Sequence, residues 1–159
     1  MEYNVEYRRK VVSRLRPEVE PLFRYLPWLQ AKKGDQVSTI YSENNVSAHS
    51  IAFPVYDSML LGFVKEVQRT TLTDRNYVYI YTRYGIKSID DERDFIERVT
   101  IANMDILIGV LSKYILGGMT KGLVWSQAVQ EGIFLAILEK YQELFSLWDQ
   151  PEENLGKQE

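Results

Sequence analysis

The chain has no cysteine and a single histidine, His49. The first absence removes disulfides, thiolate catalysis and Cys-ligated zinc; it also suits a reducing compartment, so a cytoplasmic location is the expectation. The second leaves little material for imidazole chemistry. His49 stands in a Ser- and Asn-rich stretch without a carboxylate close by in sequence, and it reads as a surface residue rather than a general base. An excess of positive charge is missing too. With 19 basic and 22 acidic side chains the net charge is −3, without the positive field that phosphate-backbone binding needs, so nucleic acid is not an expected partner. Long apolar runs are also lacking. The longest, Met104 to Met119, includes Asp105 and Lys113 and falls short of the roughly 20 residues of a membrane span. The first ten residues carry Glu2, Glu6, Arg8, Arg9 and Lys10 and lack the apolar segment of a signal peptide. Neither a membrane partner nor export by the general route is expected.

What is present is core-forming material. A chain of 159 residues that is 45% hydrophobic and 13% aromatic is long enough to bury roughly two thirds of its unfolded surface in one domain. The expected architecture is mainly α: a single-domain helical bundle over residues 1–150 with at most one small β-hairpin. From 151 to 159 the composition turns to Pro, Glu, Asn, Gly, Lys and Gln, which cannot offset the entropy of ordering, so a loose tail is expected.

Hydrophobic spacing places the elements. Val5 to Leu15 predicts a helix, and Pro17 can start a second because its missing N–H costs nothing there. In that second helix Val19, Leu22, Phe23, Leu26 and Leu29 share a face, with Pro27 kinking or ending it. Val37–Tyr41 and Val46–Phe53 can pair as strands around Glu43-Asn44-Asn45. Asp57 or Ser58 caps a helix from Met59 to about Arg69. Residues 76–84 fit two patterns: Tyr77, Tyr79 and Tyr81 alternate as in a strand, while Tyr77, Tyr81 and Tyr84 are spaced as on a helix. Ser88 to Val99 reads as a short acidic helix, and Asn103–Leu116 as the central helix. The last helix carries Ile133, Ile137, Tyr141, Leu144 and Trp148 on one stripe, widened by Phe134, Leu138 and Phe145, so it is buried on more than one side. Trp28, Trp125 and Trp148 are expected to seal the edges of the core. Gly122 and Gly132 read as backbone positions for a turn or a close approach.

Candidate chemistry is sparse. Asp90, Asp91, Glu92 and Asp94, followed by Glu97, offer oxygens for a hard cation, but the spacing does not fit a calcium loop, and acids in a first helical turn favour the dipole. No metal and no cofactor are expected. Glu66, Asp91 and Glu131 are the carboxylates a small hydrolase or ligand-binding protein could draw together. Arg8, Arg9, Lys10, Arg14 and Arg16 form a cationic concentration, flanked by Glu2, Glu6, Glu18 and Glu20, which reads as a solvated face laced with ion pairs; its phosphate-binding alternative would make the protein a nucleic-acid-associated regulator. Thr120–Tyr141 has a helix-turn-helix outline, yet Glu139, Gln142 and Glu143 on the second helix would repel phosphate. The tyrosines Tyr77, Tyr79, Tyr81 and Tyr84, with Arg83 among them, are what an interaction or oligomer surface looks like, since a Tyr buries its ring and keeps its hydroxyl wet.

Gly118, Met119, Lys121 and Gly122, then Gly132, Phe134, Ile137 and Leu138, together with the upstream Phe63-Val64-Lys65-Glu66-Val67, resemble a bacterial domain family of unknown function. Its carboxyl half runs Arg-Phe-x-Glu-Gly, about nine residues, then Gly-x-Ile and an Ile-Leu pair. The resemblance covers about residues 63–144 and departs where the family's Arg and Glu are replaced by Gly118 and Lys121. It implies a helical fold and no particular chemistry. The functional expectation is therefore a non-enzymatic protein-interaction or assembly module, with a homodimer or a protein partner, and with the carboxylate-dependent enzyme as the alternative.

Overall fold

The computed structural model describes residues 5–35, 38–41 and 53–148. His49, the turn at 43–45 and the tail from 151 lie outside them, as do the side chains of Arg8 and Trp148. The architecture is mainly α: eight α-helices, two short 3-10 segments and a two-stranded sheet among the described residues. None of these helices is long and apolar enough to cross a membrane.

The first helix, α1, spans Val5–Val19 and runs through Pro17 instead of ending before it. The expectation of a helix starting at Pro17 is thus wrong by one element. A 3-10 segment covers Glu20–Tyr25 and α2 covers Leu26–Lys32, with Pro21 and Pro27 each in the first two positions of its segment. There the absent N–H removes no hydrogen bond, so these two prolines divide the segment that the apolar stripe alone reads as one helix. Of the predicted stripe, Val19, Leu22, Leu26 and Leu29 are buried and Phe23 is partly buried against the core.

The hairpin also differs in register from the expectation. Strand β1, Ser38–Tyr41, pairs antiparallel with β2, Phe53–Tyr56, and Ile40 stands opposite Pro54. The second strand lies after Val46–Phe53, overlapping it only at Phe53. A Pro argues against a central strand, but in a two-stranded ribbon each strand has an unpaired edge that tolerates a missing donor.

Helix α3, Ser58–Gln68, begins where Asp57 Oδ1 accepts from the Met59 N–H at 2.8 Å, and buries Leu60, Phe63, Val64 and Val67. Residues 77–84 are helical, α4, which decides between the two sequence patterns. Ser88 caps α5, Ile89–Arg98, by accepting from Asp91 N. Thr100 and Asn103 form a reciprocal capping box on a 3-10 turn, Ile101–Asn103, which leads into α6, Asp105–Gly117. Helix α7 covers Val124–Gln130 and α8 covers Ile133–Trp148.

The centre of the molecule is shared between α6 and α8. Helix α8 touches α1, α2, α5, α6 and α7, and Ile133, Phe134, Ile137 and Tyr141 on it are wholly buried. Phe63 links the helices by packing on Phe134 at 4.9 Å and on Tyr25 at 5.4 Å between ring centroids. Each such fully buried side chain contributes roughly 1.5–3 kcal/mol of transfer free energy. Trp28 and Trp125 are half-buried against this core, as edge-sealing residues would be, and the Trp125 Nε1–H donates to Ile115 O at 3.0 Å.

The α7–α8 turn requires Gly132, whose φ of 73° lies in the left-handed region. A left-handed residue near the other glycine falls on Leu123, with φ 71°, not on Gly122.

Candidate functional site

Two features carry polar or exposed chemistry, and both are built on α4. The helix lies antiparallel to α6: at its start the Asp74 N–H donates to the buried Ser112 hydroxyl at 2.7 Å, and at its end the Tyr84 hydroxyl donates to Asp105 at 3.0 Å. Gly109 lets the two helices meet. A Cβ there would stand 2.7 Å from Ile80 Cγ2, closer than carbon atoms approach. Sequence reading did not single out this glycine, because within an apolar run it carries no local signal.

The first feature is a buried carboxylate. Glu92 on α5 is wholly inaccessible, and three groups donate to it: the Tyr81 hydroxyl from α4 at 2.6 Å, the Tyr114 hydroxyl from α6 at 2.5 Å and the Lys113 ammonium from α6 at 2.8 Å. One side chain thus ties three helices together. The Lys113 ammonium also lies 5.2 Å from the Tyr81 ring centre and 5.1 Å from that of Tyr114, a cation–π arrangement on both faces of the cluster. Burial, reinforced by the bond to Glu92, pushes both phenols well above the ordinary tyrosine range. Chemically the cluster is one carboxylate with both oxygens engaged by donors, the arrangement of a structural tie.

Glu92 was legible in part. Ile89, Glu92, Ile96 and Val99 recur at helical spacing, so the carboxylate occupies an inward position on an apolar stripe. The rest of the acidic run does not converge with it. Asp90 pairs with Arg93 at 3.1 Å, Asp91 accepts from Lys87 N at 3.0 Å, Asp94 approaches Arg98 at 3.9 Å and Glu97 is exposed. Among the described residues no group of three His, Cys, Asp or Glu could hold a metal ion. Glu66, Asp91 and Glu131 are likewise engaged separately, Glu66 by Arg24 at 2.5 Å and Glu131 by Arg93.

The second feature is the outer face of α4. Val78 and Tyr79 are 61% and 63% exposed, flanked by exposed Arg75 and Arg83. The five residues of the proposed surface therefore divide. Tyr79 and Arg83 face outward; Tyr81 and Tyr84 are half-buried, their hydroxyls committed to Glu92 and Asp105; Tyr77 packs edge-on against Tyr81 at 6.2 Å. Val78, which the alternation of tyrosines hid, joins the outward face.

The basic helix disperses its charges. Arg9, Lys10 and Arg14 are exposed, while Arg16 turns inward, its guanidinium 5.2 Å from the Phe145 ring and donating to Phe145 O at 3.4 Å. Glu18 accepts from Thr71 N and Oγ1 at 3.1 and 2.6 Å, a tie between α1 and the end of α3. In the helix-turn-helix outline, the second helix is α8, whose buried stripe is already used by the core.

Cavities among the described residues open on the surface, and two of them have charged linings. One, about 640 Å³, lies between α5 and α8, and several of its charges are paired: Arg93 with Glu131, and Lys140 with Glu143 at 2.6 Å and with Glu97 O at 2.7 Å. The other, about 310 Å³, lies where α1, the end of α4 and the start of α6 meet. Glu92 lines neither.

Compared with known proteins, the chain matches no family model, no curated protein and no solved structure.

Proposed function

We propose that the protein is a non-enzymatic assembly module whose partner is a second copy of the chain, docked through the outer faces of α4 and α5. The observation that carries this reading is the adjacent pair Val78 and Tyr79, exposed at 61% and 63% on a helix that is fixed from behind. Exposed aromatic and apolar side chains rimmed by arginine have the composition of an interface core. Ile80 against Gly109 and Tyr81 on Glu92 fix α4 in place. A surface ordered in advance loses little entropy on docking.

Charge complementarity favours a second copy. Next to α4 stands α5, joined to it by the Tyr81–Glu92 bond and by Tyr84 on Phe95 at 6.2 Å, with Asp90, Asp94 and Glu97 exposed, while Arg75 and Arg83 are exposed at the start and end of α4. A two-fold axis between the helices sets each basic α4 against the other copy's acidic α5, the self-complementary pattern of an isologous contact. The likeness to a bacterial domain family of unknown function remains part of the proposal and adds a helical expectation only. Light scattering over a dilution series tests the reading: a dimer that Val78→Asp converts to a monomer supports it, and a wild-type monomer at every concentration contradicts it.

A further inference from the structure

The 310 Å³ cavity at the junction of α1, α4 and α6 has a composition that the assembly reading does not use. Arg14 and Arg83 line it from different helices, together with Tyr84 and Asp105 and with Met104 and Ile108 among its apolar lining residues. Arg14 is exposed on α1 and lines the cavity. Arg83 is held differently. Its guanidinium lies 5.3 Å from the Tyr84 ring centre and reaches Asp105 at 3.8 Å, while a guanidinium carries five N–H donors. Stacking and a long ion pair orient the fork and leave donors to spare.

Asp105 is the negative charge in the cavity, and it is already answered by Arg83 and by the Tyr84 hydroxyl at 3.0 Å. The lining therefore has two guanidinium groups against one engaged carboxylate, a net positive site on a chain of net charge −3. Forked donors from two directions suit a tetrahedral oxyanion, whose oxygens can each take a charge-assisted bond. At roughly 30 Å³ for each water-sized group, the volume admits on the order of ten non-hydrogen atoms, the size of a small phosphate ester.

From this geometry we infer that the cavity binds the phosphate group of a small phosphorylated ligand, Arg14 and Arg83 holding its oxygens. The site shares Arg83 with the border of the α4 dimer face, while Arg14 belongs to α1 and Asp105 to α6.

Inorganic phosphate is the probe, titrated calorimetrically at low ionic strength into the intact chain and into Arg14→Gln, Arg83→Gln and Arg98→Gln variants, the last an exposed arginine away from the cavity. Removing one charge-assisted contact should weaken binding about tenfold or more. The proposal predicts saturable phosphate binding, weakened in Arg14→Gln and Arg83→Gln and unchanged in Arg98→Gln, with all three variants melting as the wild type does. Absence of saturable binding at millimolar phosphate overturns it. So does equal weakening in all three variants, which would report diffuse surface charge. Because Arg83 also borders the dimer face, Arg14→Gln decides the matter: loss of phosphate binding with an unchanged mass separates this site from the assembly surface.

Discussion

Replacing Glu92 by Ala should cost about 3–5 kcal/mol, and the structure shows where that cost arises. The carboxylate is wholly inaccessible and is the acceptor for Tyr81 and Tyr114 and the ion-pair partner of Lys113. Removing it leaves two largely buried hydroxyls without an acceptor, at roughly 1–3 kcal/mol each. The lysine contributes less, because its side chain is 42% exposed and its ammonium can turn to water. Glu92→Gln keeps one acceptor oxygen but points an amide donor at a donor, so it should fall between the wild type and Glu92→Ala. Combining Glu92→Leu with Tyr81→Phe and Tyr114→Phe removes the acceptor and both hydroxyls together, and should recover most of the loss, since replacing a whole buried polar set by apolar groups is often near neutral. Guanidinium denaturation monitored by fluorescence and circular dichroism gives the three values. A Glu92→Ala loss below about 1 kcal/mol, or a triple variant no better than Glu92→Ala, would refute the claim that this carboxylate ties α4, α5 and α6 together.

Three further outcomes follow from the packing. Gly109→Ala would force a Cβ against Ile80 and should destabilise by about 1–3 kcal/mol, measured by the same denaturation; a neutral result would mean that α4 can withdraw freely from α6. Tyr141 is fully buried and its hydroxyl has no hydrogen-bond partner among the described residues, so Tyr141→Phe should be neutral or stabilising by about 1 kcal/mol, and a clear destabilisation would reveal a partner for that hydroxyl. Tyr81, Tyr114 and Tyr141 all ionise less readily when folded, chiefly because burial disfavours the phenolate. The folded state thus keeps protons that the unfolded chain releases above pH about 10, so stability is full below that pH and falls above it, by up to about 1.4 kcal/mol per pH unit for each tyrosine. Denaturant midpoints that stay level from pH 9 to about 11 would contradict this.

The helices were legible because their signals are local. Met59–Arg69 appears as Ser58–Gln68, capped by Asp57, and Asn103–Leu116 as Asp105–Gly117, which starts after Met104 without a side-chain cap because Thr100 and Asn103 cap the 3-10 turn before it. Where several local signals compete, sequence alone loses the answer. The run at 77–84 alternates like a strand, and what makes it a helix is tertiary: Ile80 fits the notch at Gly109, and Tyr81 and Tyr84 find Glu92 and Asp105. Pro17, Pro21 and Pro27 all permit a helix start, and nothing local says that the first is used inside α1. The site was half legible. Glu92 stands on an inward stripe, but Tyr114 lies 22 residues away on another helix, a separation that spacing within one element cannot bridge. The outward pair Val78 and Tyr79 became visible only once the helix had fixed which side of the tyrosine run faces away from the core.

The assembly claim rests on that outward face, and the most direct measurement is the solution mass of the wild type and of Val78→Asp across a dilution series. The account predicts twice the chain mass for the wild type, falling on dilution, and the single-chain mass for Val78→Asp with an unchanged helical spectrum. A wild type that stays monomeric throughout, or a variant that dimerises as well as the wild type, would contradict it.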